Sequence, residues 1–214
     1  MAASTSPQMS PQASPVKIVL ATRNPGKIRE IAAILAHLPL ELVGLDRFPG
    51  VEPGEETGET FAENATAKAV HASRETGLAA LADDSGLLVD ALGGRPGIRS
   101  ARFAGERATH EENNRKLLGL LSGVPREQRT ARFVCVAALA LPGGKVVLRE
   151  GRLEGMITDA GAGAGGFGYD PIFLVPEFGQ TVAQLDEATK NRISHRAQAF
   201  AAMAGVIADL PAKP

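Results

Sequence analysis

Apolar positions along this chain alternate between two periods, and the switches between them mark the elements. A short β-branched run, Ile18 to Ala21, stops at Thr22 and a polar loop of Arg23, Asn24, Pro25, Gly26 and Lys27 follows. Ile28, Ile31, Ile34, Leu35 and Leu38 then recur at helical spacing, so a strand, a loop and an amphipathic helix are predicted in that order. Residues 47–59, rich in Gly, Pro and Glu, predict a loop. Thr60-Phe61-Ala62-Glu63 fits a capping box that opens a helix running to about Arg74. Leu78 to Ala82 predicts a buried strand that runs into Asp83-Asp84-Ser85-Gly86, and an extended run resumes over Leu87 to Val89.

The second half of the chain repeats the alternation. A Gly- and Arg-rich loop over 93–107 leads to a second capping box, Thr109-His110-Glu111-Glu112, and a helix through Leu121. Thr130 to Leu141 and Lys145 to Glu154 flank Pro142-Gly143-Gly144 and predict a long β-hairpin. A glycine loop, a strand over Ile172 to Val175 and a closing helix from about Ser194 complete the pattern, the last with Ala197, Phe200, Ala201, Ala204 and Ile207 on its apolar face. Helical crossovers together with a hairpin imply an α/β fold with a mixed sheet flanked by helices.

Composition narrows the classes. At 214 residues and 44% hydrophobic content the chain can bury one good core, and residues 16–210 are expected to form a single domain. The first fifteen residues, Ser-, Pro-, Gln- and Ala-rich, are expected to be a disordered tail and lack the apolar core of a signal peptide. No run approaches the ~20 apolar residues of a membrane span, so no membrane partner and a cytoplasmic location are expected. A formal net charge of −1 offers no global field for a nucleic-acid polymer, which leaves anion recognition to a few local cations. The single cysteine, Cys135, lies in an apolar run and is expected to be a core residue rather than a nucleophile.

Candidate chemistry concentrates in a few blocks. Arg23 and Lys27 meet backbone N–H groups at a helix N-terminus, which fits either an anion site or an ordinary strand, turn and helix with solvated charges. It is not a Walker A loop, because Lys27 is followed by Ile28 rather than by Ser or Thr. Gly161-Ala-Gly163-Ala-Gly165-Gly166 matches the dinucleotide spacing, but a strand follows it where that motif needs a helix. His110-Glu111 begins like a zinc motif, yet Asn114 stands where the second histidine would be. Asp83 and Asp84 are adjacent on an extended run, so only one of them can face a given site; the pair fits either a metal and phosphate site or a turn capping its own backbone. The Glu55–Glu56 pair fits a solvated acidic loop better than a second source of carboxylates. Asn64 and Lys68 share one helix face, where a lysine is most often simply a surface residue, and Lys190 to Arg196 packs cations where a helix opens, which fits either an external anion or a basic surface turn. Phe167 and Tyr169 on the glycine loop fit either base stacking or anchoring in the core.

Taken together these blocks resemble the inosine triphosphate pyrophosphatase family. The matching stretches are Ala21 to Lys27, Glu55 to Gly58, Phe61 to Ala65, Ala82 to Leu87, Pro96 to Phe103, Gly165 to Pro171 and Ser194 to Arg196, in the family's order over about residues 16–208. The resemblance implies an elongated mixed sheet with two lobes and a cleft between them, a homodimer, and Mg²⁺-dependent hydrolysis of ITP, dITP and XTP to the monophosphate and pyrophosphate. It implies Asp84 as the catalytic, Mg²⁺-linked carboxylate and Glu55 as a second metal position. Thr22, Arg23, Asn24, Pro25, Gly26 and Lys27 would wrap the triphosphate with Lys68 assisting, Arg23 departing from the family's small or amide residue. Ser85, Phe167, Gly168, Tyr169, Asp170, Lys190, His195 and Arg196 match substrate-contacting positions, with Phe167 stacking on the purine and His195 and Arg196 near its edge. Read from the residues alone, a γ-phosphate-cleaving ATPase or GTPase and a non-enzymatic nucleotide-binding module stay open as alternatives.

Overall fold

The computed structural model describes residues 15–210, and the expected N-terminal tail lies almost wholly outside them. The first strand, β1 (Val16–Leu20), leads through the polar loop into helix α1 (Pro25–Leu35) and returns as β2 (Leu40–Gly44). Helix α2 (Phe61–Thr76) precedes the long strand β3 (Ala79–Val89), and α3 (His110–Leu120) precedes the hairpin β4 (Thr130–Ala140) and β5 (Val146–Ile157). Short strands β6 (Phe173–Val175) and β7 (Gln180–Thr181) are followed by helices α4 (Glu187–Ile193) and α5 (His195–Ala208). Among the described residues the strands form one seven-stranded sheet in the order β2-β1-β3-β4-β5-β6-β7. The β1 pairings with β2 and β3 are parallel and the remainder antiparallel, which makes the sheet mixed as expected.

Strand alternation decides where each helix packs. Leu81, with Cys135, Ala137 and Leu139 of β4, faces α1 and α5 and meets Ile31, Leu35, Phe200, Met203 and Ile207. Ala80 and Ala82 point the other way, onto Ala65, Ala69 and Ala72 of α2, whose small side chains let helix and sheet approach closely. Further along β3, Leu87 and Val89 return to the Leu81 side but join a separate core with Leu117 of α3, Leu121 just beyond it, Phe133, Tyr169 and Phe173. On that face two cores are thus separated by a polar step at Asp83 and Ser85, and the cleft opens there.

Several expectations needed revision. β3 runs without interruption through Asp83-Asp84-Ser85-Gly86, in register with Ala137 to Val134 of β4, so these residues form a ladder and not a turn capping its own backbone. The strands β2 and β7 and the helix α4 carried too few residues for a periodic signal; α4 is capped by Asp186, whose Oδ1 accepts from the Thr189 N–H at 2.8 Å. Lys190 therefore belongs to α4, while α5 opens at His195 behind the Ser194 cap. Ile172 lies in a 3-10 turn just before β6. On α5 Ala201 is exposed, and the buried face runs through Arg196, Ala199, Phe200, Met203 and Ile207. Both capping boxes and the long hairpin form as expected.

Candidate active site

The cleft, about 840 Å³ including its open mouth, lies beside the middle of β3. Its walls include Asn24 and Lys27 from the first loop and α1, Asp84 and Ser85 from β3, Phe167 to Asp170 from the glycine loop, and Lys190, His195 and Arg196 from α4 and α5. Alternation along β3 sends its two aspartates into different surroundings. Asp83 Oδ2 accepts from the Ser85 hydroxyl at 2.7 Å and from Arg196 Nη2 at 3.1 Å, and pairs with Lys27 Nζ at 3.1 Å. Burial alone would raise its proton affinity; the Lys27 ammonium and Arg196 guanidinium outweigh that and hold the carboxyl far below the usual range. Asp84 faces α2, where Lys68 Nζ donates to its Oδ1 at 2.9 Å and Asn64 Nδ2 to its Oδ2 at 3.3 Å. Here burial wins over Lys68, and the nearby Glu56 carboxylate adds to it, so the Asp84 carboxyl titrates above the ordinary range.

Glu56 shares the same ammonium, its Oε1 accepting from Lys68 Nζ at 2.7 Å, and Arg102 Nη1 stands 3.5 Å from its other oxygen. Burial favours the neutral acid at Glu56, but Lys68, Lys27 and Arg102 together lower its pKa. For Lys68, burial disfavours the charged form, and Asp84, Asp83 and Glu56 more than restore it. Two carboxylates thus converge on one buried ammonium.

Phe167 sits between the loop that opens α1 and the cations of α4 and α5. Its ring rests against Gly26 so closely that a Cβ there would come within 2.8 Å of ring carbon Cδ1. Lys190 Nζ lies 4.9 Å and Arg196 Cζ 5.6 Å from the ring centroid. Gly166, at φ +71°, allows Asp170 to reach back; its Oδ2 accepts from the Phe167 N–H at 2.9 Å and from Lys190 Nζ at 2.8 Å. His195 is buried and stacks on Phe133, ring centroids 4.8 Å apart, with Nδ1 lacking a hydrogen-bond partner within the protein. Burial and the neighbouring Arg196 push its pKa well down, so the imidazole is neutral. The Tyr169 hydroxyl donates to the Ser100 carbonyl at 2.9 Å, an anchor beneath the loop rather than a free stacking face.

Some positions singled out from the sequence lie elsewhere. Thr22 Oγ1 accepts from the Asn24 N–H at 3.2 Å, and Asn24 Oδ1 accepts from the N–H groups of Gly26 and Lys27, so part of the expected anion-binding backbone is already engaged as a helix cap behind Pro25. Arg23 turns away from the cleft, bonding Glu52 Oε2 at 3.1 Å and the Val51 carbonyl at 3.2 Å. Lys68 sits behind Asp84 rather than on the cleft wall. Glu55 is exposed and does not line the cleft; its neighbour Glu56 does. The cations near α5 are neutralised from within: Glu30 bridges Lys190 and Arg196, and Asp83 and Asp170 take the remaining contacts. Glu30 was missed, although its place one turn after Lys27 on α1 was a usable signal. The roles of Asn64 and Asp83 also emerge only from the packing of α2 and α5 on β3.

The chain matches the Ham1 family over residues 18–206. It is 56% identical to the dITP/XTP pyrophosphatase of Geobacter sulfurreducens over 185 residues, 86% of this chain and 93% of that one. The dITP/XTP pyrophosphatase of Desulforamulus reducens is 54% identical over the same length, covering 86% and 92%. Among solved structures, a HAM1 protein from Coxiella burnetii superposes with a TM-score of 0.83 at 43% identity, covering 91% of this chain and all of that one. The Staphylococcus aureus Ham1 protein gives 0.80 at 40% identity, with 89% and 97% covered. The order of motif blocks, the sheet and these likenesses agree, and the chain belongs to the Ham1 family.

Proposed function

We propose that this protein hydrolyses non-standard purine nucleoside triphosphates (ITP, dITP and XTP) to the nucleoside monophosphate and pyrophosphate. The observation that carries the reading is Asp84, a cleft-lining carboxylate with raised proton affinity, fixed by Lys68 and Asn64. Relatives above 50% identity bear the name dITP/XTP pyrophosphatase. Asp84 accepts the proton of a water that attacks the α-phosphorus in line, and the P–O bond to the departing pyrophosphate breaks. Lys68 keeps the carboxylate aimed, and Lys27 at the start of α1 faces the phosphates. Phe167 stacks on the purine, while neutral His195 lines the cleft near the base edge. A pocket built to pair with a 6-keto purine leaves its polar groups unpaired when a 6-amino base enters, which selects against ATP.

The donor set suits Mg²⁺. Among the described residues no three His, Cys, Asp or Glu side chains gather to hold a metal, while Asp84 and Glu56 offer hard oxygen donors of the kind Mg²⁺ takes. Asp84 and Glu56, already converging on one ammonium, are the residues to hold it; Glu56 takes the role expected of Glu55. Bound with the substrate, Mg²⁺ neutralises phosphate charge. The reading also includes a cytoplasmic enzyme acting as a homodimer with the nucleotide between two lobes, all on the strength of the family resemblance. Among the described residues no helix is long and apolar enough to cross a membrane.

Product analysis with Mg²⁺ tests the reading. ITP, dITP and XTP are expected to yield pyrophosphate and monophosphate, and ATP and GTP little of either. Release of orthophosphate, or equal turnover of ATP, would overturn it.

A further inference from the structure

The ring of Phe167 is aimed by contacts from outside its own loop. Gly168, the next residue, has φ +64°, and both of its backbone polar groups are taken by α3. Its N–H donates to His110 Nδ1 at 3.2 Å, and its carbonyl accepts from Asn114 Nδ2 at 3.1 Å. One helical turn separates the two side chains, so they project from the same face and grip a single residue from both sides. The bond from Gly168 requires an unprotonated Nδ1, and the carbonyl fixes which way the Asn114 amide points. The His110 and Phe167 rings also lie 6.3 Å apart, tilted by 37°. The residue of α3 just before Asn114, Asn113, holds a second cleft loop: its Oδ1 accepts from the Ala104 N–H at 2.7 Å and its Nδ2 donates to the Ala101 carbonyl at 3.0 Å.

From this geometry we infer that His110 and Asn114 are positioning residues that clamp Gly168 and thereby set the tilt of Phe167 for purine stacking. The inference rests on the proposed nucleotide reading of the same cleft. The clamp acts on binding and not on chemistry, because Asp84, Lys68 and Glu56 are held by α2 and the loop before it and share no hydrogen bond with α3.

Steady-state kinetics with ITP and Mg²⁺ on His110→Ala, Asn114→Ala and His110→Asn test it, beside hydrogen exchange of the Gly168 amide by NMR. Losing one neutral hydrogen bond is expected to raise KM about fivefold in either alanine variant. With the chemistry untouched, kcat should stay within about twofold. The asparagine at 110 can present its amide oxygen near the former Nδ1 and should restore KM to within about twofold. Gly168 amide exchange should quicken in His110→Ala and slow again in His110→Asn. An unchanged KM in both alanine variants would overturn the clamp, as would a fall confined to kcat or a failure of His110→Asn to restore binding. Wild-type protein that releases no pyrophosphate from ITP would sink the functional reading instead, and Gly168 exchange unaltered by His110→Ala would sink the clamp without reference to substrate.

Discussion

Asp83 and Asp84 are neighbours in the chain, share one strand and are both buried, yet they do opposite work. Asp83 is buried among cations: Lys27, Arg196 and a serine hydroxyl converge on one of its oxygens, and its ionised form is held far below the normal range. Asp84 shares a single ammonium with Glu56, and burial leaves its proton affinity raised. The difference comes from the two-residue period of a strand: one side chain meets α1 and α5, the other α2. It teaches that an acidic pair at a site need not be a pair in function. Asp83 is the internal counter-ion that lets two cations stay buried, and Asp84 is the one left with raised proton affinity beside the cleft.

The largest effect expected from breaking this division is at Asp83. Asp83→Asn leaves the Arg196 guanidinium and the Lys27 ammonium without their shared anion, and loss of one partner from a buried ion pair costs about 3–5 kcal/mol. For a chain of this size that lowers Tm by roughly 10 °C, measurable by thermal unfolding at neutral pH. The acid response carries a definite sign. Because the folded carboxyl titrates below its ordinary value of 3.8, its contribution is complete above that pH and drains away as pH falls further. The stability gap between wild type and Asp83→Asn should therefore be constant near neutrality and narrow below about pH 4. A variant as stable as wild type at pH 7 would remove Asp83 from its structural role.

Asp84→Asn should behave in the opposite way. Burial already opposes the ionised carboxyl, and Lys68 keeps Glu56 as its partner, so Tm should move by only a few degrees in either direction. Turnover of ITP, however, should fall about 10²-fold or more for want of a base. Measured together, the two asparagine variants should separate cleanly, one losing stability first and the other losing rate. Near-normal turnover in Asp84→Asn would take that residue out of the chemistry.

Much of this arrangement was legible in the chain. The strand–loop–helix at Thr22 to Lys27, both capping boxes and the hairpin follow from local periodicity and cap chemistry, which act over a few residues. The alternation argument also foresaw that Asp83 and Asp84 would diverge. What stayed hidden depends on long-range packing: which helix lies on which face of β3, and so which aspartate meets Lys68. The place of Glu30 one turn after Lys27 was legible, but its bridge to Lys190 and Arg196, more than 150 positions away, was not. The cationic block near α5, which in the sequence fits an external anion and a basic surface turn equally, is balanced in part by that carboxylate.

The smallest effect sharpens the contrast at its Asp84 side, where motif matching and geometry choose different residues. The resemblance points to Glu55 as the second metal position, while the structure places Glu56 on Lys68 beside Asp84. Glu56→Gln keeps the shape but removes the charge, and should raise the Mg²⁺ concentration for half-maximal turnover about tenfold, the scale on which residues around a metal act. Glu55→Gln, altering an exposed side chain, should leave the Mg²⁺ titration within about twofold of wild type. The reverse ranking would return the metal position to Glu55 and would mean that the loop over 47–59 rearranges when nucleotide and metal bind, drawing Glu56 away from Lys68.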